Sequence, residues 1–171
     1  MRKQSVLELQ DRECTLVVTS HLKGPTVEKP SVLCPVDFSP ASLAAVTLAV
    51  DEAKRRDAVV DLLHVWEPGA GYVGEFAPIP IEPTIPIEAI HADLSTIALD
   101  LPDDRVRRHV ASGDPADEII CTARTLGSEL VVMGTHARRG LARWMIGSVC
   151  DHVLQHSPCP VLICRGPEKS G

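Results

Sequence analysis

"LVVMGTHARRGLARWMIGSVCDHVLQHSPCPVLIC" runs from Leu130 to Cys164. It opens on an apolar run of strand length, Leu130 to Met133, and closes on another, Pro160 to Cys164. Between them Ser148 to His156 has helical spacing, and Gly134, Gly140 and Gly147 punctuate a loop that carries Arg138, Arg139 and Arg143. Short aliphatic runs without polar alternation suit strands covered on both faces, as in a parallel sheet joined by crossover helices.

The same grammar extends upstream. "SVLCPV" is an apolar run that begins at Ser31 and ends before Asp37; Ser39 and Pro40 then supply a helix N-cap and a first-turn proline. Leu43, Val46, Val50 and Ala53 follow at helical spacing, and Lys54, Arg55 and Arg56 place cations at the negative end of that helix. "VVDLLHVW", Val59 to Trp66, is the next strand. Glu67 to Pro86 holds Pro68, Pro78, Pro80, Pro83 and Pro86, a density that forbids a continuous helix or a central strand. "IEAIHADLSTIALDL" reads as a helix with Ile87, Ile90, Leu94 and Ile97 on one face. "RVRRHVA" alternates charge with valine and reads as an edge strand with one wet face. Asp114-Pro115 repeats the cap-plus-proline signal, Ile119, Ile120, Ala123 and Leu126 form an apolar stripe, and Gly127 is a natural C-cap.

Strands and helices alternate throughout, so the fold class is α/β, a doubly wound parallel sheet. In such sheets ligands bind beyond the carboxyl ends of the strands, where the chain order reverses. Asp37 after the first of these strands and Gly134 after the fourth then face one crevice if those strands are neighbours. Residues 1–29 do not share the pattern. "CTLVVTS" has the makings of a short strand and "KGPTVEKP" reads as a linker, so this part is expected to be an extension of unassigned role, followed by one domain over residues 30–168.

Composition narrows the function. Of 171 residues 44% are hydrophobic but only 3% aromatic, so the core is aliphatic. A net charge of −6 gives no general affinity for nucleic acid or anionic membrane, and any basic site must be local. The six cysteines form no C-x-x-C pair and mostly sit in apolar runs, as reduced thiols do in a cytosolic protein. No apolar run reaches membrane-spanning length and no signal-peptide core is visible. The expected setting is the cytoplasm.

The arginine-bearing loop invites an anion. Gly147-Ser148 before the last helix offers unpaired N–H groups, a helix dipole and a hydroxyl. The residues alone also fit a solvated loop with a helix cap. A Walker-type phosphate loop is excluded, because no lysine occurs between Lys54 and Lys169. A dinucleotide fingerprint is excluded too, because "CPVDFSPAS" after the first strand has no glycine.

"VLCPVDFSPAS", "VVDLLHVWEP", "VASGDPADEII" and the stretch from Glu129 to Arg165 together resemble the universal stress protein family over roughly residues 31–165. The loop is similar to the family's nucleotide motif G-x2-G-x9-G-[ST], with Gly134, Gly147 and Ser148 in place and Ala137 where the second glycine is expected. The resemblance implies a Rossmann-like five-stranded parallel sheet ordered 3-2-1-4-5, with helices on both faces. It implies an ATP site, with or without Mg. Asp37 would hold the ribose hydroxyls; Pro35 and Val65, with Val36 alongside, would border the adenine; Met133 would lie near the ribose. Gly134, Thr135, Ala137, Arg138, Gly147, Ser148 and the Val149 backbone would surround the phosphates, with Gly140 taking the sharpest turn. It also implies a homodimer paired through the last strand, Pro160 to Cys164, and a regulatory or protective role in stress. Some family members bind no nucleotide, so a structural or interaction protein with an empty pocket is the alternative.

Other sites are read as structural. His152 and His156 are four apart and share no H-E-x-x-H frame, so no metal is expected there. His64 reads as a satisfied sheet histidine, His136 as solvated, and Trp66 and Trp144 as packing residues. No nucleophile–base set is assignable from spacing. The expectation is a non-enzyme with at most weak incidental ATP hydrolysis, binding neither nucleic acid nor membrane.

Overall fold

The computed structural model describes residues 29–67, 87–135 and 147–166, with the backbone of Val17 and Val18. Strands are β1 (Val17–Val18), β2 (Ser31–Pro35), β3 (Val59–Trp66), β4 (Val106–Ser112), β5 (Leu130–Thr135) and β6 (Val161–Arg165); helices are α1 (Pro40–Arg56), α2 (Ile87–Thr96), α3 (Pro115–Thr125) and α4 (Ser148–His156). They form one sheet in the order β1-β4-β3-β2-β5-β6. The five strands from β4 to β6 are all parallel, which is the order 3-2-1-4-5 when β1 is left aside. β1 adds antiparallel to β4, with Val17 opposite Val110 and Val18 opposite His109.

The chain runs outward from β2 through β3 to β4, then returns to lay β5 on the other side of β2. The topological reversal therefore falls between β2 and β5, where Val32 pairs with Leu130 and Leu33 with Val131. Alternate side chains of the central strands feed two cores. Val32, Val60, Leu62 and Val132 pack with α1 and α2, and Leu33, Leu63, Val131 and Met133 with α3 and α4. Leu33, Leu62 and Leu63 are fully buried, each contributing about 1.5–3 kcal/mol relative to an exposed side chain.

Local chemistry sets the helix ends. Ser39 caps α1 by accepting from Ser42 N, and Asp114 caps α3 by accepting from the N–H groups of Ala116 and Asp117. Gly127 takes a left-handed φ of +59° just after α3, as a terminating glycine does.

Four expectations are corrected. Leu43 is 42% exposed; the buried stripe of α1 is Ala41, Ser42, Ala45, Val46, Ala49, Val50 and Ala53. Its small residues allow the helix to approach the sheet closely, and that choice of face turns Leu43 outward. α2 ends at Thr96 and does not continue to Leu101. The hydroxyls of Ser95 and Thr96 turn back onto the carbonyls of His91 and Asp93, a local competitor to helix propagation. Ile97, Leu99 and Leu101 then pack on the core from outside the helix. The last strand begins at Val161, because Pro160 contributes only its carbonyl, to Val131 N–H.

The fourth concerns β4, which has no wet face. Arg107 forks onto both oxygens of the fully buried Asp61 at 2.6 Å, and His109, 1% exposed, donates its Nε2–H to Asp61 Oδ1 at 2.6 Å. Ser31 Oγ donates to the other oxygen. On the opposite face Arg108 reaches the carbonyl of Leu94. The alternation of charge and valine thus reflects buried pairing, with Asp61 in mid-β3 as the counter-charge. Burial opposes ionisation of Asp61, but the hydrogen bonds from His109 and Arg107 outweigh it and hold the carboxyl below its ordinary range.

Candidate nucleotide site at the β2/β5 reversal

The turn from β2 into α1 is fixed at every residue. Val36 N–H donates to Leu63 O at 2.8 Å. His64 Nδ1 lies 2.7 Å from Val36 O. Asp37 N–H reaches Ser42 Oγ at 3.3 Å, and Ser39 N–H donates to Asp37 Oδ1 at 3.0 Å. Phe38 turns the chain with φ 60°, a left-handed conformation rare for a residue with a side chain. This arrangement leaves the Asp37 carboxylate exposed at the mouth of the reversal.

The opposite wall is the end of β5 and the start of α4. Gly134 and Thr135 complete β5. Gly147 is the N-cap of α4 with φ −45° and ψ 156°, and among the described residues no side chain caps that end. Among the described residues a Cβ at Gly147 would meet nothing within 4 Å, so none of them requires glycine there. Ser148, Val149 and Cys150 follow as the first turn, whose N–H groups and dipole favour an anion. Cys150 Sγ contacts Gly134 O at 3.6 Å and ties that turn to β5.

The two walls enclose a cavity of about 790 Å³. Of the residues that sequence singled out, Pro35, Val36, Asp37 and Val65 line it from one side, and Met133, Gly134, Thr135, Gly147, Ser148 and Val149 from the other. Ala137, Arg138 and Gly140 lie outside the described residues, as do His136, Arg139, Arg143 and Trp144. The lining thus combines apolar Leu63, Val65, Ile119, Met133 and Val149 with the carboxylates of Asp37 and Glu67 and a helix N-terminus. That is a suitable shape for a flat apolar ring bonded to a polyol and an anion.

Sequence reasoning missed Ser42, Leu63, His64, Trp66, Glu67, Pro115, Ile119 and Cys150 as lining residues. Trp66 and Glu67 are the direct continuation of Val65 and were within reach of a reading that followed β3 to its end. Pro115 and Ile119 come from α3, and only the layering of helices on the sheet brings them in. His152 and His156 stack at 4.3 Å on the surface of α4. Among the described residues no group of three or more histidine, cysteine or carboxylate side chains is placed to hold a metal, and no helix is long and apolar enough to cross a membrane.

The profile of the universal stress protein family matches residues 30–165. This chain belongs to the universal stress protein family. A universal stress protein of Methanocaldococcus jannaschii is 32% identical over 146 residues, which cover 81% of this chain and 83% of that protein. Among solved structures, the universal stress protein UspA from Lactobacillus plantarum superposes with a TM-score of 0.60 at 26% identity, over 80% of this chain and 97% of that one. A universal stress protein solved in complex with cAMP superposes with a TM-score of 0.57 at 22% identity, over 81% of this chain and 98% of that one. The likeness to the cAMP complex is one of fold.

Proposed function

We propose that this universal stress protein binds ATP, with or without Mg, in the β2/β5 cavity and acts as a regulatory or protective switch, not as an efficient enzyme. The observation that carries the reading is Gly147. It has an extended backbone that any residue adopts, and among the described residues nothing packs against it that would exclude a side chain. A ligand pressed against the start of α4 supplies a reason for glycine. In this reading the phosphates lie on the N–H groups after Gly147, the Asp37 carboxylate accepts from the ribose hydroxyls, and Val65 and Met133 flank the base. The cAMP complex of a structural neighbour supports an adenine nucleotide in this fold. A reduced, cytoplasmic protein paired through β6 completes the proposal; Cys34, Cys121, Cys150, Cys159 and Cys164 are free thiols.

Titration calorimetry tests it. Wild type is expected to bind ATP at micromolar to low millimolar levels, and Ser148→Ala to weaken binding by about 1 kcal/mol. Equal affinity of wild type and Gly147→Glu sinks the site. Incubation with labelled ATP is expected to show turnover no faster than slow, incidental hydrolysis.

Ala137 favours a second reading, an empty pocket in a structural or interaction protein. Ala137→Gly separates the two. Under the ATP reading it shifts affinity by less than about tenfold, or 1.4 kcal/mol. If wild type ignores millimolar ATP while the glycine variant binds at micromolar levels, the empty-pocket reading holds.

A further inference from the structure

We propose that His64 is a positioning residue, which holds the Asp37 carboxylate in register for the ribose diol through the carbonyl of Val36. The proposal rests on the ATP reading above and adds to it the residue that sets the geometry of ribose recognition.

A carbonyl oxygen only accepts, so the 2.7 Å contact requires the proton on Nδ1. The tautomer of His64 is therefore fixed by its neighbour. The bond crosses from β3 to the residue immediately before Asp37, 28 positions away in sequence. Val36 is 3% exposed, so without the imidazole its carbonyl loses a partner in a buried position. The turn beyond it is strained: Phe38 sits at φ 60°, and its ring rests 5.0 Å from that of His64, tilted by 40°. A residue held in a sparse conformation persists only where its surroundings overdetermine it. Here the backbone is clamped on three sides, by Leu63 O on Val36 N, by Ser42 Oγ on Asp37 N, and by His64 on Val36 O. The first two clamps belong to the strand ladder and the helix cap. His64 and Ser42 both line the cavity, but only His64 reaches the turn from β3, across the strand pair, and holds the carbonyl of Val36.

Three variants and two ligands test this. Asparagine carries an N–H at the same bond distance from the backbone as histidine Nδ1, whereas glutamine carries it one atom further out. His64→Asn is expected to keep ATP affinity within about threefold of wild type, and His64→Gln and His64→Leu to lose about tenfold. Against 2′,3′-dideoxy-ATP, which offers Asp37 no hydroxyl, the loss in His64→Leu shrinks below about twofold. A merely structural histidine would weaken both ligands alike. Should His64→Leu fail to fold, the contrast of asparagine with glutamine carries the same comparison. Equal losses for ATP and the dideoxy ligand overturn the proposal, as does a nitrogen NMR spectrum in which His64 carries its proton on Nε2 alone. Wild-type protein that binds no ATP overturns the nucleotide reading instead, and this proposal falls with it.

Discussion

A Cβ on Gly134 would overlap the main-chain carbonyl of Ala41 and stand 2.7 Å from Ser42 N. The glycine at the end of β5 is thus required by the first turn of α1, which lies directly on the strand. Gly147 differs, since no described residue stands within 4 Å of a Cβ there. The two glycines of one motif have separate physical reasons.

That contrast is testable. Gly134→Ala forces main-chain atoms apart and is expected to destabilise the fold by about 2–3 kcal/mol, read as a shift of the urea midpoint. Gly147→Ala is expected to cost less than about 1 kcal/mol in stability while weakening ATP binding measurably. Equal destabilisation by both variants would refute the division of roles.

The Asp61 cluster predicts an acid dependence. Its carboxyl is lowered from 3.8 in the folded state, so the stabilisation it gives is complete above that value. It is lost as pH falls from about 3.8 through the lower native value. Asp61→Asn leaves the Arg107 guanidinium without its counter-charge and His109 Nε2–H without an ionised acceptor, and is expected to cost about 3–5 kcal/mol near neutrality. The gap between wild type and variant should narrow below pH 4, as urea titrations at both pH values will show.

Cys34 is fully buried, and burial, with Cys164 nearby, pushes its thiol far above the ordinary range. Cys150 is shifted the same way, chiefly by burial. Both are expected to resist a thiol-alkylating pulse at pH 8 until the chain unfolds. Peptide mapping that finds Cys34 modified in the native protein at the rate of a free thiol would contradict this.

β6 carries half-buried Val161, Leu162 and Ile163 on the outermost parallel strand. A strand of this kind asks for a partner, and an isologous pairing with a second copy is expected. Light scattering at micromolar concentration should give a dimer mass, and Leu162→Arg a monomer or an aggregate.

The parts of the fold legible in sequence are those written in adjacent residues. Ser39-Pro40, Asp114-Pro115 and Gly127 announce their helix ends because a cap acts within three residues of itself. The order of strands followed from alternation and family resemblance together. What stayed hidden depends on register. Asp61 and Arg107 are 46 residues apart, and nothing local says that one answers the other. The close packing of Gly134 on Ala41 was not legible, because Ala41 lies in another element. Leu43 fits the helical period, but the period does not say which small residues the sheet will accept. His64 read as an ordinary sheet histidine, since the carbonyl it holds becomes its neighbour only when β2 and β3 pair.

The short antiparallel strand β1 gives the sheet two unlike rims. On one side Val17 and Val18 lie along β4, so that rim ends in a strand of only two residues, a blunt edge; on the other, β6 is the terminal strand of the sheet. A building block with a single adhesive rim cannot propagate. Two copies joined at β6 would form a plank of twelve strands, twice the six of one chain, with a blunt two-residue strand at either end. The two-residue strand would then bound that sheet, and the cavity between β2 and β5 lies inboard of either rim.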